Sequence, residues 1–109
     1  MNAEELEWAR LLYRLKRQFS KELNIQGILF LIGHRELGQL RTKFSKEEKQ
    51  ELIHVGTCKI LSQAGYYRFV TFDADGWPHY ELVRDKKKLD SEEQEKLLKR
   101  EILRYFEGI

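Results

Sequence analysis

Residues 65 to 83 read GYYRFVTFDADGWPHYELV and differ from the rest of the chain, where the patterns are helical. Aromatic and β-branched residues fill Tyr66 to Phe72 and return from Trp77 to Val83. Between these two runs, Asp73-Ala74-Asp75-Gly76 supplies the Asp and Gly residues that turns favour. The segment therefore predicts a β-hairpin.

Strict alternation along the two strands assigns their side chains to two faces. The more apolar face is predicted to contain Tyr67, Phe69, Thr71, Tyr80 and Leu82, and we expect it to cover the helices. The second face is predicted to contain Tyr66, Arg68, Val70, Phe72, Trp77, His79, Glu81 and Val83. Because an isolated hairpin is only marginally stable in water, we expect this second face to be shielded, or a strand edge to be paired. The alternatives are the last helix, a second copy of the chain, or a strand of a partner.

Pro78 gives a separate indication about the sheet. A proline has no amide hydrogen to donate to a neighbouring strand, so the strand that contains it is expected to lie at a sheet edge.

Helices are predicted before the hairpin. The first follows from apolar residues spaced three and four apart, namely Leu6, Trp8, Leu11, Leu12, Leu15 and Phe19. The second is predicted over Asn24 to Leu40, where apolar residues occupy most of the helical circumference, as in a central core helix. The third begins at Ser45, which forms a capping box with Glu48, and extends to about Gln63, with Gly65 as a left-handed cap.

A last helix is predicted after the hairpin, capped by Asp90 or Ser91, with acidic residues in its first turn. The predicted fold class is therefore α+β, with three helices, a β-hairpin and a C-terminal helix (αααββα) in a single compact domain, 1–109.

Three glycines within or beside the second helix require an explanation, because each lowers helix propensity by roughly 1 kcal/mol relative to alanine. Gly27 and Gly38 fall on nearly the same helical face, and Gly33 lies between them. Their spacing matches neither a dinucleotide fingerprint nor a phosphate loop. We expect them to permit close packing of a neighbouring helix.

Composition narrows the classes of function. The chain has 109 residues, 41% of them hydrophobic and 35% charged, with a formal net charge of +2. A nearly balanced charge gives no general attraction to nucleic acid or anionic lipid. The longest run without a charged residue, Leu23 to Gly33, is shorter than the roughly 20 apolar residues of a membrane helix. No membrane partner is therefore expected.

Cys58 is the single cysteine, so the chain cannot form an internal disulfide. The amino-terminal sequence MNAEELEWARLL is acidic where a secretory signal is basic, and we expect no cleaved leader there. Both features favour a reducing, cytoplasmic location.

Three clusters of side chains could carry chemistry. His54 and Cys58 lie one helical turn apart and could share a metal ion, but zinc requires at least one further ligand, for which His34 and His79 are the remaining histidines. The sequence His34-Arg35-Glu36 could support acid–base chemistry, although no nucleophile or paired carboxylate accompanies it. The turn that starts at Asp73 begins like a calcium loop but has Arg84 at the position of the final glutamate, so we interpret it as a turn.

The predicted binding surface consists of Tyr66, Arg68, Trp77 and His79. As an exposed aromatic and basic group, these side chains would suit a ligand or a protein partner. The competing interpretation is that they pack beneath the last helix or are scattered over a solvated face.

The order of the third helix and the hairpin resembles the recognition helix and wing of winged-helix DNA-binding proteins. The similarity is carried by ILSQAGYY before the wing and by DADG at its turn, and it covers about residues 45 to 83. It implies that helix 45–63 enters the major groove while wing 66–83 contacts the phosphate backbone. Glu47, Glu48 and Glu51 near the start of that helix would oppose phosphate binding.

The function predicted from the sequence is therefore contact with a protein partner or self-association through the aromatic hairpin. No residue set requires a catalytic mechanism, so we expect binding rather than catalysis and assign no catalytic residue, no cofactor and no metal. Winged-helix-like DNA binding is the alternative function, and a metal-dependent enzyme built on His54 and Cys58 is a third.

Overall fold

The computed structural model describes residues 1–109 and contains four helices and one two-stranded antiparallel sheet. The elements are α1 Ala3–Phe19, α2 Ile25–Leu37, α3 Lys46–Ser62, β1 Tyr67–Phe72, β2 Pro78–Leu82 and α4 Ser91–Glu107. This order confirms the predicted α+β fold with the arrangement αααββα, and the elements form one compact globule. None of the helices combines the length and hydrophobicity needed to cross a membrane.

Local capping signals position α3 and α4 as predicted. The Ser45 side chain accepts a hydrogen bond from the Glu48 amide, and the Glu48 carboxylate accepts one from the Ser45 amide, completing the capping box. Asp90 and Glu93 form the equivalent box at the start of α4. Each box satisfies amide groups that the first turn of a helix leaves without partners.

The turn after α3 directs the chain into the hairpin. Gly65 adopts a left-handed conformation with φ of 81°, as its predicted capping role requires. The Tyr66 amide donates to the Leu61 carbonyl at 3.0 Å, and the Gly65 amide donates to the Ser62 carbonyl at 3.2 Å. These two bonds form a Schellman motif, which ends α3 and turns the Tyr66 ring into the core.

Helices α2 and α3 cross with their backbones in contact. A Cβ atom at Gly33 would lie 2.7 Å from the carbonyl carbon of Leu52, and one at Gly56 would lie 2.9 Å from that of Leu29. Both distances are far below the 3.5–4.0 Å of a favourable contact between carbon atoms. The close approach is therefore reciprocal, with a glycine of each helix facing the backbone of the other.

This crossing corrects the predicted roles of two glycines. Gly38 does not take part in helix packing, because it adopts φ of 70° and ends α2 as a left-handed cap. The prediction that the helix continues to Leu40 was wrong for the same reason, and Leu40 lies in the following loop with 98% of its surface exposed. A Cβ atom at Gly27 would lie nearest to the side chains of Leu23 and Asn24, at the start of α2.

The core lies among the four helices and extends to Tyr66, the residue before β1. Its buried members are Leu11, Leu15, Ile28, Leu29, Ile32, Ile60, Leu61, Tyr66, Leu97, Ile102 and Tyr105. All four helices contribute to this set, so α1 and α4 pack against α2 and α3 in one core. Burial of these apolar side chains supplies the main favourable free energy of folding.

The hairpin contains a β-bulge that strict alternation does not predict. Tyr67 pairs with Leu82 and Phe69 with Tyr80, whereas Thr71 pairs with His79 and Phe72 with Pro78. Val70 is the extra residue between these pairs. Because a bulge shifts the alternation by one position, Phe72 joins the face of Phe69 and Tyr80, and Thr71 moves to the face of His79.

Substitution of Gly33 tests the helix crossing. We expect Gly33→Ala to lower the free energy of unfolding by about 3 kcal/mol or more, because its methyl group must displace the backbone of α3. The measurement is urea unfolding followed by circular dichroism.

Gly27→Ala is the matched control on the same helix. Its methyl group meets side chains rather than backbone, so the free energy of unfolding should change by no more than about 1 kcal/mol. An equal loss in both variants, or no loss in Gly33→Ala, would contradict the close crossing.

Candidate functional site

The hairpin is held against α3 by its tyrosines. Tyr66 is only 7% exposed and belongs to the core. The Tyr67 ring meets the His54 ring edge to face, with their centroids 6.3 Å apart. Burial is the main cause that raises the pKa of Tyr80 to about 12, with smaller effects from Glu36 and Cys58. The inner half of the hairpin is therefore fixed on the helices.

The hairpin also presents apolar side chains to solvent. Phe69 is 43% exposed, Phe72 58% and Leu82 56%, and Val70 and Val83 are exposed as well. Phe69 packs against Phe72 with their ring centroids 5.0 Å apart, and against Tyr80 at 5.7 Å. Phe69, Phe72 and Leu82 lie on one face of the sheet, and we call these three residues the hairpin apolar patch. An apolar cluster that the core leaves uncovered is characteristic of an interaction surface.

The residues predicted for binding do not form one surface. Tyr66 is buried in the core, and the Arg84 guanidinium lies over its ring at 4.8 Å from the centroid. Arg68 is exposed and pairs across the strands with Glu81. His79 lies on the same face as Arg68, and Trp77 is half-buried beside the turn. The structure thus brings Arg68 and His79 together on one strand face and separates them from Tyr66.

The turn is organised by Asp73. Its carboxylate accepts hydrogen bonds from the amides of Asp75 and Trp77, at 2.9 and 3.0 Å, and lies 2.8 Å from the His79 ring nitrogen. The hydrogen bond with His79, followed by that with the Trp77 amide, lowers the pKa of Asp73. These contacts agree with the predicted turn, in which Gly76 adopts φ of 86°.

His54 and Cys58 do form a close pair, with the ring Nε2 3.4 Å from the sulfur. Cys58 is nevertheless buried, and burial raises the pKa of its thiol to about 11, so its sulfur stays protonated and weakly nucleophilic. No group of three or more His, Cys, Asp or Glu side chains is arranged to hold a metal ion. This pair therefore lacks the further ligand that a zinc site needs.

The side chains of His34, Arg35 and Glu36 diverge. The His34 Nε2 lies 2.8 Å from the Arg41 carbonyl oxygen, and its ring stacks on Phe30. The Glu36 carboxylate accepts a hydrogen bond from the Tyr105 hydroxyl at 2.8 Å and lies 3.6 Å from the Lys59 ammonium. These contacts join α2 to the loop that follows it and to α3 and α4. They are packing contacts, and they do not converge on a reaction centre.

The arrangement of α3 followed by the hairpin matches the order of a recognition helix and a wing, but its charges do not favour DNA. Glu47 and Glu51 are exposed at the start of α3 among its lysines. On the hairpin, the Arg68 charge is paired with Glu81. A surface that neutralises phosphates requires an excess of unpaired cations, which these residues do not supply.

Sequence reasoning missed the exposure of Phe69, Phe72 and Leu82. Phe69 and Leu82 were expected on the covered face and Phe72 on the second face, and the bulge at Val70 moves Phe72 to the side of the other two. The sequence contains no local signal for which residues of that face the helices leave uncovered. The β-branched Val70 at the middle of β1 is equally suited to a regular strand.

Comparison with protein-family models, curated proteins and solved structures finds no match to this chain.

Alkylation of Cys58 tests the environment of the site. The pKa of about 11 should leave about a hundredfold less thiolate at neutral pH than the ordinary value does. We expect iodoacetamide, followed by mass spectrometry, to modify the native protein at least about a hundredfold more slowly than the urea-unfolded chain. Similar rates in the two states would show that Cys58 is accessible and ionised.

The same pKa shift gives a dependence of stability on pH. The unfolded chain releases the thiol proton near the ordinary pKa of 9.0, whereas the folded protein retains it up to about 11. The contribution of Cys58 to stability is therefore complete below pH 9.0 and is lost as the pH rises to about 11.

Proposed function

We propose that the protein is an interaction domain whose contact surface is the hairpin apolar patch, with a second copy of the chain as its partner. The observation that carries the proposal is the exposure of Phe69, Phe72 and Leu82 on one side of the sheet. Burial of such side chains in an interface contributes roughly 25 cal/mol per Å² of apolar area removed from water. Aromatic side chains also dominate the binding energy of many protein interfaces.

The edges of the sheet support the same function. The sheet consists only of β1 and β2, so each strand has one edge whose backbone groups pair with no other strand. Such edges are available for main-chain hydrogen bonds with an added strand. The bulge at Val70 makes the hydrogen-bond pattern of β1 irregular. The free edge of β2 is therefore the more regular of the two.

The charges of the hairpin permit contact between two copies. Arg68 and Glu81 form an exposed ion pair on the face of the sheet opposite to Phe69 and Phe72. Because these adjacent charges are of opposite sign, this pair leaves no local excess of one charge that would repel a second copy of the hairpin.

The double variant Phe69→Ser/Phe72→Ser tests the function. We expect the wild type to self-associate and the variant to do so at least about tenfold more weakly, because truncation of an interface aromatic typically costs more than 1 kcal/mol. Sedimentation velocity over a concentration series up to high micromolar measures the change. Circular dichroism checks that the variant is folded, and the single variant Phe72→Ser provides a milder test at the more exposed ring.

Leu40→Ser is the matched control, because Leu40 is almost fully exposed but lies outside the hairpin. It should associate like the wild type. A wild type that remains a monomer throughout, or an association that the double variant leaves unchanged, would contradict self-association through the patch.

A DNA titration separates the alternative function. Winged-helix-like binding through helix 45–63 and wing 66–83 would give a complex with duplex DNA at low salt that weakens steeply as salt rises. We expect no such complex, because the exposed glutamates of α3 oppose the phosphates.

A further inference from the structure

A groove separate from the hairpin lies between helices α1, α2 and α4. It has a volume of about 370 Å³ and is bounded by the carboxyl-terminal turns of α1 and α4 and by one face of α2. Its apolar lining includes Leu31, Ile32, Tyr105 and Phe106. The volume falls within the roughly 300–1,000 Å³ of sites that bind small molecules.

Two arginines from different helices line this groove. The Arg14 guanidinium, from α1, lies 5.9 Å from the centroid of the Phe106 ring. The Arg35 guanidinium, from α2, lies 5.7 Å from that of Tyr105. Both guanidiniums therefore lie close to rings of α4 that line the groove, and Arg14 stands at its border with the neighbouring groove. Neither forms an ion pair within 4.0 Å, in contrast to Arg41, Arg68 and Arg104.

The charge of the groove is one-sided. Its polar side chains are Arg14, Arg35, His34 and Gln18, and no Asp or Glu side chain lines it. The neighbouring grooves between α1 and α4 differ, since both are lined by glutamates, among them Glu7 and Glu107. In a chain with 18 acidic residues, this groove combines an apolar floor with unpaired cations.

We propose that this groove binds an amphipathic monocarboxylate, a free fatty acid of medium chain length. The carboxylate is bound by Arg14 and Arg35, whose planar guanidiniums can each donate two parallel hydrogen bonds to it. The hydrocarbon chain lies along Leu31, Ile32 and Phe106 and removes their apolar surface from water. This site does not overlap the hairpin apolar patch, so it is independent of the proposed function.

Calorimetric titration of the full chain with sodium decanoate, at concentrations where decanoate is monomeric, tests the proposal. We expect saturable binding with one decanoate per protein. Octanoate, which has two methylenes fewer, should bind roughly fifteenfold more weakly, because each buried methylene contributes about a fourfold factor. Decanol, which has the same chain and no charge, should bind at least about tenfold more weakly.

Variants locate the head-group contact. Arg14→Gln and Arg35→Gln replace exposed side chains, and each should weaken decanoate binding at least about tenfold by removing a charge-assisted contact. Arg100→Gln is the matched control, since Arg100 is exposed on α4 and does not line the groove, and its affinity should stay within about twofold of wild type.

Amide chemical shifts locate the chain of the ligand. On addition of decanoate, the shifts expected to move are those of Leu31, Ile32 and Phe106. Shifts confined to Phe69 and Phe72 would show nonspecific adsorption to the hairpin and would overturn the proposal. Equal binding of decanol and decanoate, unchanged binding in both arginine variants, or no binding by the wild type would also overturn it.

Discussion

The backbone contact between α2 and α3 is the constraint on which the rest of the structure depends. Gly33 faces the Leu52 backbone and Gly56 faces the Leu29 backbone, so neither position accepts even a methyl group without displacing the other helix. Such close packing fixes the relative position of the two helices more tightly than side-chain packing alone. The crossing therefore defines the platform on which α1, α4 and the hairpin assemble.

The position of the hairpin is determined by α3. Only the Schellman turn at Gly65 separates them, and Tyr66 anchors the start of β1 in the core. Farther along the sheet, Phe69 and Phe72 are exposed and belong to no part of the core, although Pro78 opposite Phe72 is buried. Their exposure does not contribute to folding of the single chain, and this is the physical reason to assign them a role in binding. The arginine-lined groove has a different origin, because it forms where α1, α2 and α4 meet at their ends.

Interactions between residues close in sequence made the fold largely predictable. The exposed surface of the hairpin could not be predicted in the same way. Ser45 with Glu48, Gly65 and the turn at Asp73 each act through neighbours in sequence, and the structure has all three as expected. The positions that differ depend on tertiary structure or on an irregularity. Gly56, rather than Gly27 or Gly38, pairs with Gly33 because the partner is another helix, and the bulge at Val70 reverses the placement of Phe72.

Native-state hydrogen exchange tests the central role of the helix crossing most directly, because it measures the free energy of opening at each amide. Amides of α2 and α3 around Gly33 and Gly56 should exchange only through global unfolding, with opening free energies equal to that of the whole protein. Amides of the hairpin beyond Tyr67 and those at the start of α1 should open at lower free energy. Exchange of the crossing amides through a smaller opening, while α1 or α4 remains fully protected, would contradict this account.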